Sequence, residues 1–224
     1  MASLRTCIVL LALLATAARL RAEPFVRIAG NYAVYQRDGF SNRAGLSLAA
    51  GTSLGADNNH ELGLETGSLD WGYKESFEVP RDVFGAVSGE RGDGRLIPVL
   101  LTYRYCFGRA ATPLRFHIEA VAGYTRSSGS WLEINGSLGP LYNQPVPFAA
   151  WRPTVGAGLG AEWAVGSRLS IDFGYRWITI GGGTTPPTLV RYFYNQATFG
   201  ETTLSRTIPS MQMSLLTVGL HYRF

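Results

Sequence analysis

Along most of the chain, apolar and polar residues alternate one by one. In WRPTVGAGLGAEWAV, residues 151–165, Trp151, Pro153, Val155, Ala157, Leu159, Ala161, Trp163 and Val165 share one face. Arg152, Thr154, Gly156, Gly158, Gly160, Glu162 and Ala164 share the other. LSIDFGYRWITI, residues 169–180, repeats the pattern: Leu169, Ile171, Phe173, Tyr175 and Trp177 oppose Ser170, Asp172, Gly174 and Arg176. A period of two is the mark of an amphipathic strand, and no window sustains the 3.6-residue period of a helix. The same reading predicts strands near 25–36, 44–54, 60–72, 95–107, 114–126, 151–165, 169–180 and 210–224. Each meets or exceeds the roughly 9–11 residues that a tilted strand needs to cross a bilayer. The third is the least regular: Leu62 and Leu64 face away from Leu69 and Trp71 unless a bulge intervenes.

The connections alternate in length. GADNN, GRAATP and GS join strands two to three, four to five and six to seven, whereas 73–94, 127–150 and 181–209 read as long Gly/Pro-rich loops at the other end. The first hairpin at that end, near 37–43, is short. Short turns on one side and long loops on the other are the layout of an outer-membrane barrel, with the short turns in the periplasm. Pro98, Pro153 and Pro209 fall at or near the starts of strands descending from the loop side, where bulges and frayed pairing are tolerated.

Two features predict that the oily face looks outward. Aromatic residues gather at its strand ends: Tyr124, Trp151, Tyr175 and Trp177 toward the long loops, and Tyr105, Phe107, Phe116, Trp163, Tyr222 and Phe224 toward the short turns. That is a double girdle at two membrane interfaces. The opposite face mixes glycine with charges of both signs: Arg104, Arg115, Arg152, Arg176 and Arg223 with Glu61, Glu65, Glu119, Glu162 and Asp172. An eight-stranded barrel has an interior that side chains just fill, so these ten residues are expected to pair across a plugged lumen. The fold class is therefore all-β, an eight-stranded antiparallel up-and-down transmembrane barrel. Closure pairs the last strand with the first, PFVRIAGNYAVYQ.

On these patterns the chain resembles the small eight-stranded outer-membrane barrels of the OmpA and OmpX type. The most specific element is the final strand, SLLTVGLHYRF, where Leu216, Val218, Leu220, Tyr222 and Phe224 match the family's terminal pattern position by position. The resemblance implies that this strand is the signal read by the barrel assembly machinery. Larger members of the OmpA group carry a peptidoglycan-binding domain after the barrel, for which this sequence gives no support.

Composition narrows the setting. Arg5, the apolar run TCIVLLALLATAA and the small residues after it read as a signal peptide over 1–22, with cleavage after Ala22 preferred to Ala17, leaving 23–224 as one barrel domain. Three of the basic residues (Arg5, Arg19, Arg21) leave with that segment, so the +4 of the whole chain falls to +1 and a nucleic-acid partner loses its electrostatic footprint. One cysteine, Cys106, remains, so no internal disulfide is expected.

Chemistry is sparse. His60, His117 and His221 are the only histidines, and their spacing offers no metal motif. His117 and Glu119 share the lumen face, as do Ser170, Asp172 and His221, but at the turn-side end and without the histidine-serine pattern of the lipid A deacylases. The glycines of GAGLGAE, with no helix after them, are read as lumen spacers and not as a nucleotide motif. No cofactor and no catalytic residue is expected. Passive transport of apolar solutes, as in barrels resembling OmpW, is disfavoured by the charged lumen face. The expected role is structural or one of surface interaction through the long loops, in a monomer surrounded by outer-membrane lipid and lipopolysaccharide. A narrow pore and a lipid-modifying enzyme are the alternatives.

Overall fold

A computed structural model describes residues 22–224 apart from 38, 56, 79–86, 110–111, 135–145, 185, 196–197 and 206. The segment read as a signal peptide thus lies outside the described residues, save Ala22. Twelve strands follow in order: β1 Glu23–Tyr35, β2 Arg43–Leu54, β3 His60–Glu78, β4 Val87–Phe107, β5 Leu114–Ile134, β6 Val146–Ala164, β7 Leu169–Ile180, β8 Gly183–Thr184, β9 Thr188–Asn195, β10 Thr198–Leu204, β11 Thr207–Ile208 and β12 Met211–Arg223. Among the described residues there is no helix.

Eight of these strands close a barrel in the order β1-β12-β7-β6-β5-β4-β3-β2, every neighbour antiparallel. Closure runs through Phe25↔Arg223 to Tyr35↔Met213, so both ends of the described chain are built into the wall. A closed sheet leaves no edge, which is the condition for burying backbone in lipid. The turn-side connections are tight because glycine supplies the left-handed backbone they need: Gly55 has φ 94° and Gly108 has φ 93°.

The outward face carries a broad oily band around the barrel. Leu46 is 67% exposed, Leu64 62% and Leu159 62%, with Ile28, Leu48, Leu101, Ile118, Val155, Val218 and Leu220 also exposed. Exposed aromatic residues border this band: Tyr32, Tyr124, Trp151, Tyr175 and Trp177 on the loop side, Phe107, Phe116, Trp163, Tyr222 and Phe224 on the turn side. A soluble barrel would bury this face; here it is the lipid-facing surface of an outer-membrane-type barrel.

The third strand keeps its reading without a bulge: its register with β2 is unbroken from Gly45↔Leu69 to Leu54↔His60, and Leu69 and Trp71 face inward while Leu62 and Leu64 face out. Two expectations about the connections are corrected. Much of what reads as loop at 73–94 and 127–150 continues the strands, pairing from Tyr73↔Gly92 to Glu78↔Val87 and from Ser127↔Leu96 to Ile134↔Gly89. A strand needs strict oily alternation only where it crosses lipid, so the alternation in the sequence ends although the pairing does not. Within 181–209, β8 pairs with β11 and β9 with β10, making an arm of two short ladders.

Pro98 and Pro153 therefore lie inside β4 and β6 and not near their starts, whereas Pro209 does stand just before β12. The β3–β4 ladder runs to Thr66↔Val99 and resumes at Leu69↔Leu96, and the gap between faces Pro98, which has no N–H to give.

Candidate functional site

The lumen has two layers. Its turn-side half is ionic. Arg27 of β1 donates to Glu65 of β3 and Glu119 of β5, both at 3.1 Å. Arg176 of β7 binds the same two carboxylates, at 2.6 and 2.9 Å to Glu65 and 2.8 and 3.0 Å to Glu119. Arg104 of β4 is bidentate to Asp172 of β7 at 3.1 and 2.8 Å and lies 3.9 Å from Glu61 and 4.0 Å from Glu119. Arg223 of β12 grips Glu162 of β6 through both oxygens, at 2.6 and 2.7 Å, and reaches Glu61 at 2.8 Å. The four guanidinium groups and five carboxylates form one connected set spanning β1, β3, β4, β5, β6, β7 and β12, and all but Arg223 are almost wholly buried.

Charges can be buried this way only because each guanidinium meets more than one carboxylate, with Arg104, Arg176 and Arg223 in forked geometry; a buried charge left alone would cost several kcal/mol. Backbone without side chains makes the room. A Cβ at Gly158 would stand 2.8 Å from Cγ of Arg176, and one at Gly160 would stand 2.6 Å from Nε2 of His117. Gly158 and Gly160 of GAGLGAE are spacers for those two side chains, and Gly156 makes room beside Ile178 and Val121.

Of the ten lumen charges read from the sequence, eight stand in this set: Glu61, Glu65, Arg104, Glu119, Glu162, Asp172, Arg176 and Arg223. Arg115 and Arg152 are buried in the lumen but bind main-chain oxygens. Arg115 donates to the carbonyls of Asp57 and Asn58 and to Oδ1 of Asn59, so it ties β5 to the β2–β3 turn. Arg152, wholly buried, donates through Nε to Gly181 O at 2.6 Å and through Nη2 to Pro209 O, holding both feet of the 181–209 arm. The sequence reading missed Arg27, which sits between Val26 and Ile28 and so carries the alternation signal that would have found it.

The loop-side half of the lumen is apolar. Ala33, Tyr35, Leu69, Trp71, Tyr73, Leu96, Phe148, Ile178, Ile180, Ile208, Met211, Met213 and Leu215 make one buried cluster. Phe40, on the β1–β2 connection, lies over it, with ring centroids 5.2 Å from Tyr35, 4.8 Å from Tyr73 and 6.4 Å from Trp71. This corrects the expectation of a lumen face charged throughout. A cavity of about 40 Å³ lies where the layers meet, lined by Asn31, Glu65, Leu69, Leu96, Thr125 and Thr154 among others. That is room for a few waters, not a channel.

The histidines separate. His60 is outside the barrel, 2.9 Å from the Tyr103 hydroxyl. His117 lies 3.8 Å from Asp172, and His221 lies between Glu61 and Glu162. Ser170 donates to Glu162 and not to a histidine, so no nucleophile–base hydrogen bond forms among the described residues named as a conceivable triad.

No family model matches the chain, and no curated protein matches it. Solved structures do. A major outer membrane protein of Thermus thermophilus aligns over 90% of this chain and 99% of its own, with 13% identity and a TM-score of 0.53. The fold is that of small outer-membrane barrels. Neisserial surface protein A (13% identity, 91% of this chain, 97% of its own, TM-score 0.45) and the N-terminal β-barrel domain of Pseudomonas aeruginosa OprF (13%, 90%, 100%, 0.43) are similar in the same way. At these identities the likeness extends to the fold alone, and the chemistry of this outer-membrane-type barrel rests on its own residues.

Proposed function

We propose that this chain is an exported outer-membrane protein that closes its own lumen and works from its surface. The observation that carries this reading is the placement of the two faces: large apolar side chains look outward in a band around the wall, while four arginines and five carboxylates pair with one another inside. Such a molecule belongs in a bilayer and has little to conduct. Residues 1–22 are its leader, residues 23–224 its mature domain, and it is a monomer without enzymatic activity. Its terminal strand, with Leu216, Val218, Leu220, Tyr222 and Phe224 pointing outward, is the feature offered to the assembly machinery.

The surface role falls to the strand extensions and the 181–209 arm. Just beyond the loop-side aromatic belt a recess is lined by Arg43, Asp70, Asp93, Arg95 and Arg126. Arg126 is directly cross-strand from the belt residue Trp151. Guanidinium groups at that height suit the phosphates of outer-leaflet lipopolysaccharide.

Cell fractionation combined with gel mobility tests this reading. The mature protein should sediment with the outer membrane, resist extraction by salt and migrate differently when unboiled, because every strand of the wall is paired. Recovery as a soluble protein with identical mobility in both states would overturn it. The alternative of a transport barrel draws on the apolar loop-side half of the lumen, but that half ends on the ionic layer.

A further inference from the structure

We infer that Glu61, Glu162 and His221 form a binding site for one divalent metal ion of the zinc type at the turn-side end of the lumen. The three come from β3, β6 and β12, far apart in sequence, yet one ligand atom from each lies within 4.8 Å of the others. No spacing in the sequence could announce them, because only closure of the barrel brings them together.

His221 is the side chain that asks for a ligand. It is 0% exposed, and neither ring nitrogen has a hydrogen-bond partner. Nδ1 stands 3.6 Å from Glu162 Oε1 and Nε2 stands 3.7 Å from Glu61 Oε1. These separations are too long for hydrogen bonds. An ion takes one ring nitrogen only; each stands near the roughly 3.4 Å that separates two donors on one tetrahedral ion at about 2.1 Å, and an oxygen of the other carboxylate is within 4.8 Å of the remaining donors. Glu61 Oε2, buried in the same cluster, also lacks a hydrogen bond, with Arg104 Nε 3.9 Å away.

The surroundings favour a cation. The connected layer sets five carboxylates against four guanidinium groups, and Arg115, the next one along, has turned to the carbonyls of the β2–β3 turn. Arg223 binds both candidate carboxylates, and Ser170 binds Glu162. A carboxylate oxygen can accept such bonds while it coordinates an ion, and bonds of that kind fix the orientation of metal-binding side chains. One imidazole with two carboxylates, and a fourth position for water, is a donor set of the zinc type. Arg223 keeps 15% of its side chain exposed, so the cluster lies one side chain from turn-side solvent. An ion here would tie β3 and β6 to β12, bracing the strand that closes the barrel.

The test uses untagged full-length mature protein, folded in detergent and stripped with a chelator. Zinc is titrated against a chromophoric competitor, with unboiled gel mobility reporting the folded fraction. One equivalent should bind, and it should raise the temperature at which the folded band is lost. His221→Gln and Glu61→Gln should each weaken binding by about tenfold or more, while His117→Gln leaves it unchanged. X-ray absorption of the zinc-loaded wild type needs no variant and should report one imidazole with oxygen ligands. The inference is overturned if the folded wild type binds no zinc, if folded His221→Gln binds as the wild type does, or if absorption reports a thiolate, which would place the ion at Cys106.

Discussion

Arg176 and Glu65, 111 residues apart in sequence, face each other across the lumen and share two hydrogen bonds of 2.6 and 2.9 Å. Each is the other's closest partner in the buried layer. Replacing Arg176 by Met should destabilise the barrel by about 3–5 kcal/mol, because Glu65 would then keep Arg27 alone, shared with Glu119, whose only other cation is Arg104 at 4.0 Å. Adding Glu65→Gln to that variant should recover part of the loss. The midpoint of urea unfolding in detergent micelles checks both; a double variant no better than the single one would show that the two residues are not coupled.

A different outcome is expected at Arg152. Its partners are the carbonyls of Gly181 and Pro209, so Arg152→Met removes hydrogen bonds from the feet of the arm and leaves the ionic layer intact. The global loss should be smaller, about 1–3 kcal/mol. Trypsin should cut within 181–209 faster than in the wild type, and an unchanged cleavage rate would mean that Arg152 does not hold the arm.

The recess outside β3, β4 and β5 gives a surface prediction. Arg95 and Arg126 point outward there, Arg95 paired with Asp70 at 3.3 Å. Arg95→Ala with Arg126→Ala should weaken retention of lipopolysaccharide by the detergent-solubilised barrel, and added salt should shrink the difference, since exposed charges are screened. Equal retention at low salt would remove the recess from the account.

The terminal strand predicts an assembly defect. Phe224 is 60% exposed, stacks edge-to-face on Tyr222 at 5.1 Å, and its N–H donates to Pro24 O across the closing seam. Deleting it should lower the amount of folded protein in the outer membrane far more than Phe116→Ala, which alters the same belt elsewhere. Quantifying the heat-modifiable band in membrane fractions distinguishes the two outcomes.

What the sequence made legible follows the physics of the bilayer. Where a strand crosses lipid, one face must be apolar, and residues such as Val155, Leu159, Val218 and Leu220 write that requirement as strict alternation. Tyr73–Glu78 and Val87–Gly94 lie past the membrane, carry no such requirement, and read as loop although their backbones pair. Leu69 and Trp71 obscured the third strand because the loop-side lumen is apolar, so the oily face of that strand switches from outward at Leu62 and Leu64 to inward at Leu69 and Trp71, with Ser68 and Asp70 outside. Charge alone did not separate Arg152 from Arg176. Both lie on the lumen face, but Arg152 sits at the height of the arm, and its partners are carbonyl oxygens that any sequence would present. The cluster of Glu61, Glu162 and His221 depends on a closure that pairs β12 with both β1 and β7, which no local pattern encodes.

The central claim is that the lumen is closed, by paired charges below and by the apolar cluster with Phe40 above. Single-channel recording on the purified protein in planar bilayers tests it most directly. The account predicts no steady conductance for the wild type. It also predicts small openings only when the ionic layer and the upper layer are both breached, as in Arg176→Ala combined with Trp71→Ala. A steady open channel in the wild-type protein would contradict it, since it would mean that the ion pairs across the lumen are not made in the membrane.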